Sequence, residues 1–443
     1  MIDIILTILG VGLYIPFLVQ LFRTHWDKTM WPRKLLLLFM ALELTTLLHV
    51  PSVMFCGAGV FLAALIIYII VIRPKFRLTP FLIIGGLYVI SFAVSILWSA
   101  IPEKGWLFLL NNGLPILGFA GLASVVELTK EEIFHCLKVF CYAALIFVGL
   151  AFLSLGISCY EQSFNPLEWP FASKSRLALL APYQWVFRFN GGINGYFHPS
   201  YNLLPLFAAI CAAMRLGKER ILHPSIGWIL LFCGSVITLL TQSRMSIIYC
   251  SLILVAAIIY IIPTFRERLI SAGIIIIAGV GIFVSTQTFW HDIADDPVRD
   301  MLHEETWRYI KAKPWTGSGA GALNPIEICR TTGDRWWPNI GWIDVQQDVR
   351  SWPWKTRMLP HNQWLADWAH AGIFAAICAL LLYLSVATEC IQKRSYWGGV
   401  LMLILIIFSF LEPTLYIGKG LYLFCLFACL IETYNESTAS ITH

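Results

Sequence analysis

The chain contains about thirteen apolar stretches of about 16 to 24 residues, and these limit its fold more than any other feature. A helix needs about 20 apolar residues to cross a bilayer, and in hydrocarbon every backbone polar group must find a partner within the protein. The stretches are too long and too uniformly apolar for the alternating strands of a membrane barrel. With 58% hydrophobic and only 13% charged residues, the sequence predicts an all-α polytopic membrane protein.

The predicted spans occupy most of the chain and leave two long polar interruptions. They run at 2–22, 35–50, 53–72, 80–98, 105–126, 133–156, 197–215, 222–240, 245–262, 269–287, 363–388, 396–411 and 415–432. We expect about 12 to 13 transmembrane helices in one integral membrane domain over 1–443, with a first long loop at 157–196 and a large loop at 288–362. The first stretch lacks the basic start of a signal peptide, so we expect it to remain as a helix.

Basic residues indicate how the chain is oriented in the membrane. Lysine and arginine recur in alternate connections, for example at Arg33, Arg77 and Lys393. By the positive-inside rule these connections face the cytoplasm, so the loops at 157–196 and 288–362 are expected on the outer side. Because the formal net charge of +5 is spread over short loops, we expect no nucleic acid among the partners.

Two arginines are candidates for binding an anion. Arg244 ends a Thr-Gln-Ser-Arg segment at the outer end of a span, where an arginine is costly unless it is paired, reaches the membrane surface or meets an anionic ligand. Arg308 lies in the large loop, within a short helix predicted over 306–313 and ended by Pro314. The guanidinium group suits phosphate. The simpler interpretations are a membrane anchor for Arg244 and a solvated charge for Arg308.

His361 is the candidate general base. It stands with Asn362 immediately before the eleventh predicted span, where a neutral imidazole can accept a proton from a hydroxyl group. The simpler interpretation is a capping or interface histidine. Asn362 is a candidate N-cap for the following helix.

Other polar residues on the outer side give weaker indications. Arg188 suits a lipid head group or a diphosphate, and His198 either lines the same cavity or serves the entry of a helix. The 317–321 segment, Gly-Ser-Gly-Ala-Gly, is interpreted as a flexible turn because it lacks the lysine and the strand-to-helix context of a nucleotide loop. A disulfide between Cys159 and Cys329 is left open. No cysteine has metal-ligand spacing, so neither a metal nor a cofactor is expected.

The order of these motifs resembles the O-antigen ligase and polymerase superfamily. That family has a Ser/Thr-x-Arg at the outer end of a span, a periplasmic loop with an arginine helix and a Pro-x-x-Gly-x-Gly turn, and a His-Asn pair that opens the next span. The matching segments here are Thr-Gln-Ser-Arg244, Glu-Glu-Thr-Trp-Arg308, Lys-Pro-Trp-Thr-Gly-Ser-Gly at 313–319, and His361-Asn362 followed by Gly372. The resemblance covers about residues 191–376 and departs from the common pattern at His198, where many members have an Asn-Pro-Asn-like turn.

The resemblance implies a GT-C-type glycosyltransferase in the bacterial inner membrane, with its active site facing the periplasm. Arg244 and Arg308 would bind the diphosphate of an undecaprenyl-diphosphate-linked glycan donor, and His361 would activate the acceptor hydroxyl. The expected substrate-binding residues are Arg188, His198 and Asn362.

Four functions are consistent with these motifs. The first is an O-antigen ligase that transfers the glycan to a lipid A-core acceptor, without a metal and with inversion. The second is a polymerase that uses a polyprenyl-diphosphate-linked repeat unit as the acceptor. A protein-glycan ligase and a lipid-linked glycan transporter remain open, although no inverted repeat of the kind found in many transporters is visible in the sequence.

Overall fold

A computed structural model describes the helical framework of the protein. The described residues are 31–46, 51–161, 203–213, 215–216, 219–241, 251–253, 255–256, 266, 270, 297–321, 360–393, 395–410, 412–416 and 418–433. Within these ranges the only strands are β1 (Arg215–Leu216) and β2 (Glu219–Arg220), an antiparallel pair of two residues each. The predicted all-α fold is confirmed.

Most of the described helices lie within or overlap the predicted apolar stretches. They are α1 (Trp31–Thr46), α2 (Pro51–Ile72), α3 (Pro80–Ser95), α4 (Pro102–Phe108), α5 (Leu114–Val125), α6 (Lys130–Glu161), α7 (Leu203–Ala213), α8 (Pro224–Thr241), α9 (Pro297–Ala312), α10 (Gln363–Ala371), α11 (Ile373–Gln392), α12 (Tyr396–Ser409) and α13 (Gly418–Thr433). Short 3-10 turns cover Ile96–Trp98 and Thr414–Tyr416, and a π-helical turn joins α4 to α5 at Leu109–Gly113.

Four helical stretches among the described residues are long and apolar enough to cross a membrane. They are Pro80–Trp98, Pro102–Val125, Lys130–Leu153 and Ile373–Gln392. Only 33% of the first and 39% of the last is buried inside the protein, and their remaining apolar surface suits contact with lipid. The protein is therefore a multi-pass α-helical membrane protein. The predicted total of 12 to 13 spans stays a prediction, because the spans at 2–22 and 269–287 lie outside the described residues apart from residue 270.

The predicted span at 363–388 is wrong, because the chain forms two helices there instead of one. Gly372 separates α10 from α11 with a φ of +83°, a conformation that L side chains rarely adopt. A Cβ atom on this glycine would lie 2.0 Å from the carbonyl oxygen of Trp315. The break thus depends on a distant loop that packs against it, which hydropathy alone does not reveal.

The two ends of the bundle differ in chemistry. One end is held by three ion pairs, namely Arg33 with Glu132, Arg77 with Glu127, and Lys393 with Glu389. At the other end the Ser99 hydroxyl donates to the carbonyl oxygen of Ala320 over 2.7 Å. The stretch Pro80–Trp98 connects the two ends, and its 19 residues rise about 28 Å. Three of the basic residues predicted to face the cytoplasm, Arg33, Arg77 and Lys393, therefore lie at one end of the bundle, a membrane thickness away from Ala320 of the large loop.

Candidate active site

The start of α10 places the candidate histidine. Asn362 is extended, and its Oδ1 accepts a hydrogen bond of 3.0 Å from the backbone N–H of Leu365. The predicted N-cap is confirmed. The other side-chain atom, Nδ2, donates to the carbonyl oxygen of Phe410 over 3.0 Å. Asn362 therefore fixes the first turn of α10 and ties it to the end of α12, one residue after His361.

His361 forms a close pair with a carboxylate that is distant in the sequence. Its Nδ1 lies 2.8 Å from Oε2 of Glu412, in the segment between α12 and α13. An ionised carboxylate can only accept a hydrogen bond, so the neutral imidazole carries its proton on Nδ1 and presents the lone pair of Nε2. The His361 side chain is 39% exposed and that of Glu412 only 16%, so the imidazole is the accessible member. This arrangement suits a general base whose orientation is set by a carboxylate.

A buried polar cluster lies deeper in α10. Asp367 is fully buried, and its Oδ1 accepts hydrogen bonds from the hydroxyl groups of Tyr88 at 3.0 Å and Tyr416 at 2.9 Å. Its Oδ2 accepts from Nε2 of Gln363 at 2.8 Å, and Oε1 of Gln363 accepts from the backbone N–H of Leu415 at 2.8 Å. Side chains from α3, α10 and the 414–416 turn therefore meet at one carboxyl group.

Burial changes the proton affinities of two groups in α10, which precedes the candidate span Ile373–Gln392. It raises the pKa of the Asp367 carboxyl to about 7, against the effect of the three donated hydrogen bonds. It lowers the pKa of His370 to about 4, although the contact of Nδ1 with the carbonyl oxygen of Gly319 acts in the other direction. His370 is therefore neutral and enclosed, and among the two histidines of this region His361 is the accessible one.

The glycine-rich segment of the large loop is packed, and its interpretation as a flexible turn is wrong. Ser318 and Gly319 donate their backbone N–H groups to the carbonyl oxygens of Ala369 and His370, each over 2.8 Å. Ala320 donates to the hydroxyl of Ser95, and Gly317 donates to the carbonyl oxygen of a residue in its own turn. Four consecutive N–H groups are thus used inside the protein. The turn caps the end of α10 instead of presenting its amides to an anion.

Helix α9 carries Arg308 and packs against α10. It runs over Pro297–Ala312, so the predicted helix at 306–313 begins nine residues too late. Pro297 is a recognisable helix start, because proline is favoured at the first helical position. The rings of Trp307 and Trp368 meet edge to face with centroids 5.5 Å apart. The indole N–H of Trp368 donates to the carbonyl oxygen of Pro314 over 2.7 Å. Arg308 itself is exposed, on a helix whose position relative to α10 is fixed.

Several predicted residues lie outside the described part of the chain. Arg244 follows α8 by three residues, and neither it nor Arg188, His198 or Cys329 is described. The side chain of Cys159 is likewise not described. The roles of these residues therefore stay predictions. Among the residues that the structure describes, no group of three or more His, Cys, Asp or Glu side chains is placed to hold a metal ion.

Sequence reasoning missed the partners of His361 and the cluster around Asp367. Glu412 is an ionisable residue near a predicted span, and no local pattern in the sequence pairs it with His361. Asp367 and His370 fall inside the stretch that was read as one continuous span, where an ionisable residue is itself a sign of function. The ionisable residues therefore indicate a functional site in this stretch, but no local sequence pattern pairs Asp367 with Tyr88.

These features define a class: a multi-pass α-helical membrane protein with a carboxylate-oriented histidine where a polar loop meets the bundle. Residues 229–380 match the family model described as O-antigen ligase, which spans about a third of the chain. This part of the chain is thus a domain of the O-antigen ligase and polymerase superfamily, and the predicted resemblance is confirmed. The match includes Arg244, Arg308, His361 and Asp367 but not Glu412. The search of curated proteins found no match for the chain.

Proposed function

We propose that the protein is a GT-C-type O-antigen ligase that transfers a glycan from undecaprenyl diphosphate to a lipid A-core acceptor. The observation that carries this proposal is the contact between His361 and Glu412, because it supplies an oriented base at the edge of the matched family segment. The basic residues at the opposite end of the bundle support a periplasmic position for this base, in the inner membrane of a bacterium.

The proposed reaction is a direct displacement at the anomeric carbon of the donor. The acceptor hydroxyl gives its proton to Nε2 of His361 while its oxygen forms the new glycosidic bond. The bond between the anomeric carbon and the diphosphate oxygen breaks, and its electron pair stays on the diphosphate. Because attack and departure occur on opposite faces of the sugar, the anomeric configuration inverts.

Charge develops at two points during this reaction, and the proposal assigns residues to each of them. The imidazolium that forms at His361 is stabilised by the Glu412 carboxylate, 2.8 Å from Nδ1. The negative charge that grows on the diphosphate is received by the predicted ligands Arg244 and Arg308. We propose that these two arginines make a metal ion unnecessary. Arg188, His198 and Asn362 remain the proposed contacts to the rest of the substrates.

The test uses the purified protein in detergent with an undecaprenyl-diphosphate-linked glycan and EDTA. One reaction offers lipid A-core as the acceptor and a second offers a polyprenyl-diphosphate-linked repeat unit, with a gel shift of the acceptor as the readout. We expect transfer to lipid A-core. A ladder built only on the polyprenyl-linked repeat would identify a polymerase, and no product in either reaction would favour a transporter.

Two histidine variants make this test specific for the proposed site. His361→Ala should form no product, since it removes the base. His223→Ala is the matched control, because His223 is an exposed histidine that precedes α8 and contacts Ser225 in its first turn. Equal activity of the two variants would exclude His361 from the chemistry.

A further inference from the structure

The segment that carries Glu412 is tied to α10 on both sides of the glutamate. Before it, the carbonyl oxygen of Phe410 accepts from Nδ2 of Asn362. After it, the backbone N–H of Leu415 donates to Gln363, and the Tyr416 hydroxyl donates to Asp367. None of these three hydrogen bonds involves the atoms that join His361 to Glu412. They form a separate frame around that pair.

Asp367 is the point at which the later part of this frame converges. Asp367 accepts a hydrogen bond directly from the Tyr416 hydroxyl. It is linked to Leu415 through Gln363, which accepts from the N–H of Leu415 with Oε1 and donates to Oδ2 of Asp367 with Nε2. A third donor, the hydroxyl of Tyr88, anchors the same carboxyl to α3. A buried carboxyl group that collects three donors defines the relative position of the elements that supply them.

We infer that Asp367 is a positioning residue, which holds the 412–416 segment against α10 and so sets the Glu412 carboxylate against His361. The inference rests on the proposed function, because its effect on rate is expressed through His361. Asp367 lies inside the protein and is six residues from His361 along the chain, so it acts through the frame and not on the substrates. A displacement of about 1 Å between catalytic groups can cost about a hundredfold in rate.

The hydrogen-bond pattern predicts what is lost when an amide replaces the Asp367 carboxyl. Both oxygens of Asp367 accept, Oδ1 from two tyrosine hydroxyls and Oδ2 from the Gln363 amide. In Asp367→Asn one of these acceptors becomes an N–H group that faces the Nε2 donor of Gln363. Rotating the Gln363 amide removes this conflict but turns its N–H group toward the N–H of Leu415. Turning the new amide the other way lets its oxygen accept from Gln363, but its N–H groups then face the hydroxyls of Tyr88 and Tyr416, whose own protons lose Asp367 as acceptor. In each orientation at least one donor of the frame loses its acceptor.

The same pattern predicts a second substitution that repairs the first. In Asp367→Asn/Gln363→Glu, the new side chain at 363 offers two acceptors, one for the amide at 367 and one for the N–H of Leu415. The oxygen at 367 still accepts from Tyr88 and Tyr416. The double variant keeps the number of carboxyl groups in the cluster, so charge and size are both preserved.

Two tyrosine variants form a matched pair that separates positioning from general stability. Tyr416→Phe and Tyr88→Phe each remove one hydroxyl donor to the same oxygen of Asp367. The first releases the 412–416 segment from α10, whereas the second releases only the anchor to α3. If Asp367 positions Glu412, Tyr416→Phe must lower the rate more than Tyr88→Phe.

The experiment measures kcat and KM for the undecaprenyl-linked donor, together with hydrogen exchange of the peptide that contains the Leu415 amide. We expect Asp367→Asn to lower kcat by about ten- to a hundredfold, with KM within about twofold and faster exchange at Leu415. The double variant should recover kcat to within about threefold and restore slow exchange. Tyr416→Phe should lower kcat by at least about threefold, and Tyr88→Phe by less than twofold.

Several results would overturn this inference. They are wild-type kcat in Asp367→Asn, failure of a folded double variant to recover, or equal losses in the two tyrosine variants. If Asp367→Asn does not fold, the tyrosine pair decides. Wild-type protein that forms no glycosidic bond, or His361→Ala that remains active, would overturn the proposed function instead. Exchange at the Leu415 amide would then still show whether Asp367 fixes this segment.

Discussion

Glu412 lies 51 residues after His361 in the chain, yet its Oε2 is 2.8 Å from Nδ1 of the imidazole. The two residues belong to different elements, since His361 precedes α10 and Glu412 precedes the 414–416 turn. Because Glu412 contacts Nδ1, the opposite nitrogen, Nε2, is the one that the proposed reaction uses as the base. The pair therefore joins the end of the large loop to the segment between α12 and α13.

The substitution Glu412→Gln tests the electrostatic part of this pair. Glutamine keeps the size of the side chain and can still accept from Nδ1, but it does not stabilise the imidazolium that forms during transfer. We expect kcat for glycan transfer to fall by about a hundredfold or more, with KM for the donor within about twofold. Glu389→Gln is the matched control, because its carboxylate is 18% exposed and pairs with Lys393 at the other end of the bundle. Equal rates in the two variants would contradict the role of Glu412.

Arg308→Ala tests the predicted contact between α9 and the donor diphosphate. Removing a charge-assisted hydrogen bond to phosphate costs about 1.5 to 3 kcal/mol, so KM for the donor should rise by about ten- to a hundredfold. Lys311→Ala is the control, since Lys311 is an exposed cation on the same helix, three residues further on. Its KM should change by less than about twofold. The same rise in KM for both variants would show a general effect of positive charge, not a specific contact of Arg308.

Local sequence patterns were sufficient for the framework and for one detail of the site. The bundle follows from long apolar stretches, because a helix is the conformation that satisfies its own backbone in hydrocarbon. The cap at Asn362 follows from the short range of its contact, which reaches the backbone N–H of Leu365 only three residues away. The position of His361 at a helix start was predictable for the same reason.

The rest of the site depends on contacts between distant segments. No local pattern pairs Glu412 with His361 or Tyr88 with Asp367, since 51 and 279 residues separate them. The break at Gly372 was missed because its direct neighbours, Ala371 and Ile373, are apolar and no proline beside it marks the end of a helix. At this break the carbonyl oxygen of Trp315, in a loop 57 residues earlier in the chain, occupies the space that a side chain would need.

Gly372→Ala tests whether this break is required by the fold. The added Cβ would lie 2.0 Å from the Trp315 oxygen, and the φ of +83° is strained for alanine. We expect the free energy of unfolding in detergent to fall by at least about 2 kcal/mol, seen as a lower midpoint of thermal unfolding. Gly86→Ala in α3 is the control, since nothing lies within 4 Å of its added Cβ. A helical Gly→Ala change is expected to stabilise by about 0.5 to 1 kcal/mol. An unchanged midpoint for Gly372→Ala would show that α10 and α11 tolerate another arrangement.

His370 should make the protein less stable in acid. Burial lowers its pKa from 6.5 to about 4, so between these values the unfolded chain binds a proton that the folded chain does not. The free energy of unfolding therefore falls as the pH decreases from about 6.5 to 4, and the contribution of this one group at pH 5 is about 2 kcal/mol. His370→Asn keeps a side-chain N–H donor for the Gly319 carbonyl oxygen but does not titrate.

The measurement compares the midpoint of thermal unfolding at pH 7 and pH 5 in wild-type protein and in His370→Asn. Loss of the ring stacked on Tyr416 lowers the midpoint of the variant at both pH values, so the informative quantity is the change between them. The raised pKa of Asp367 acts with the opposite sign, but it is present in both proteins and cancels in the comparison. We expect the variant to lose less stability on acidification. Equal losses in both proteins would show that His370 is not held neutral by its burial.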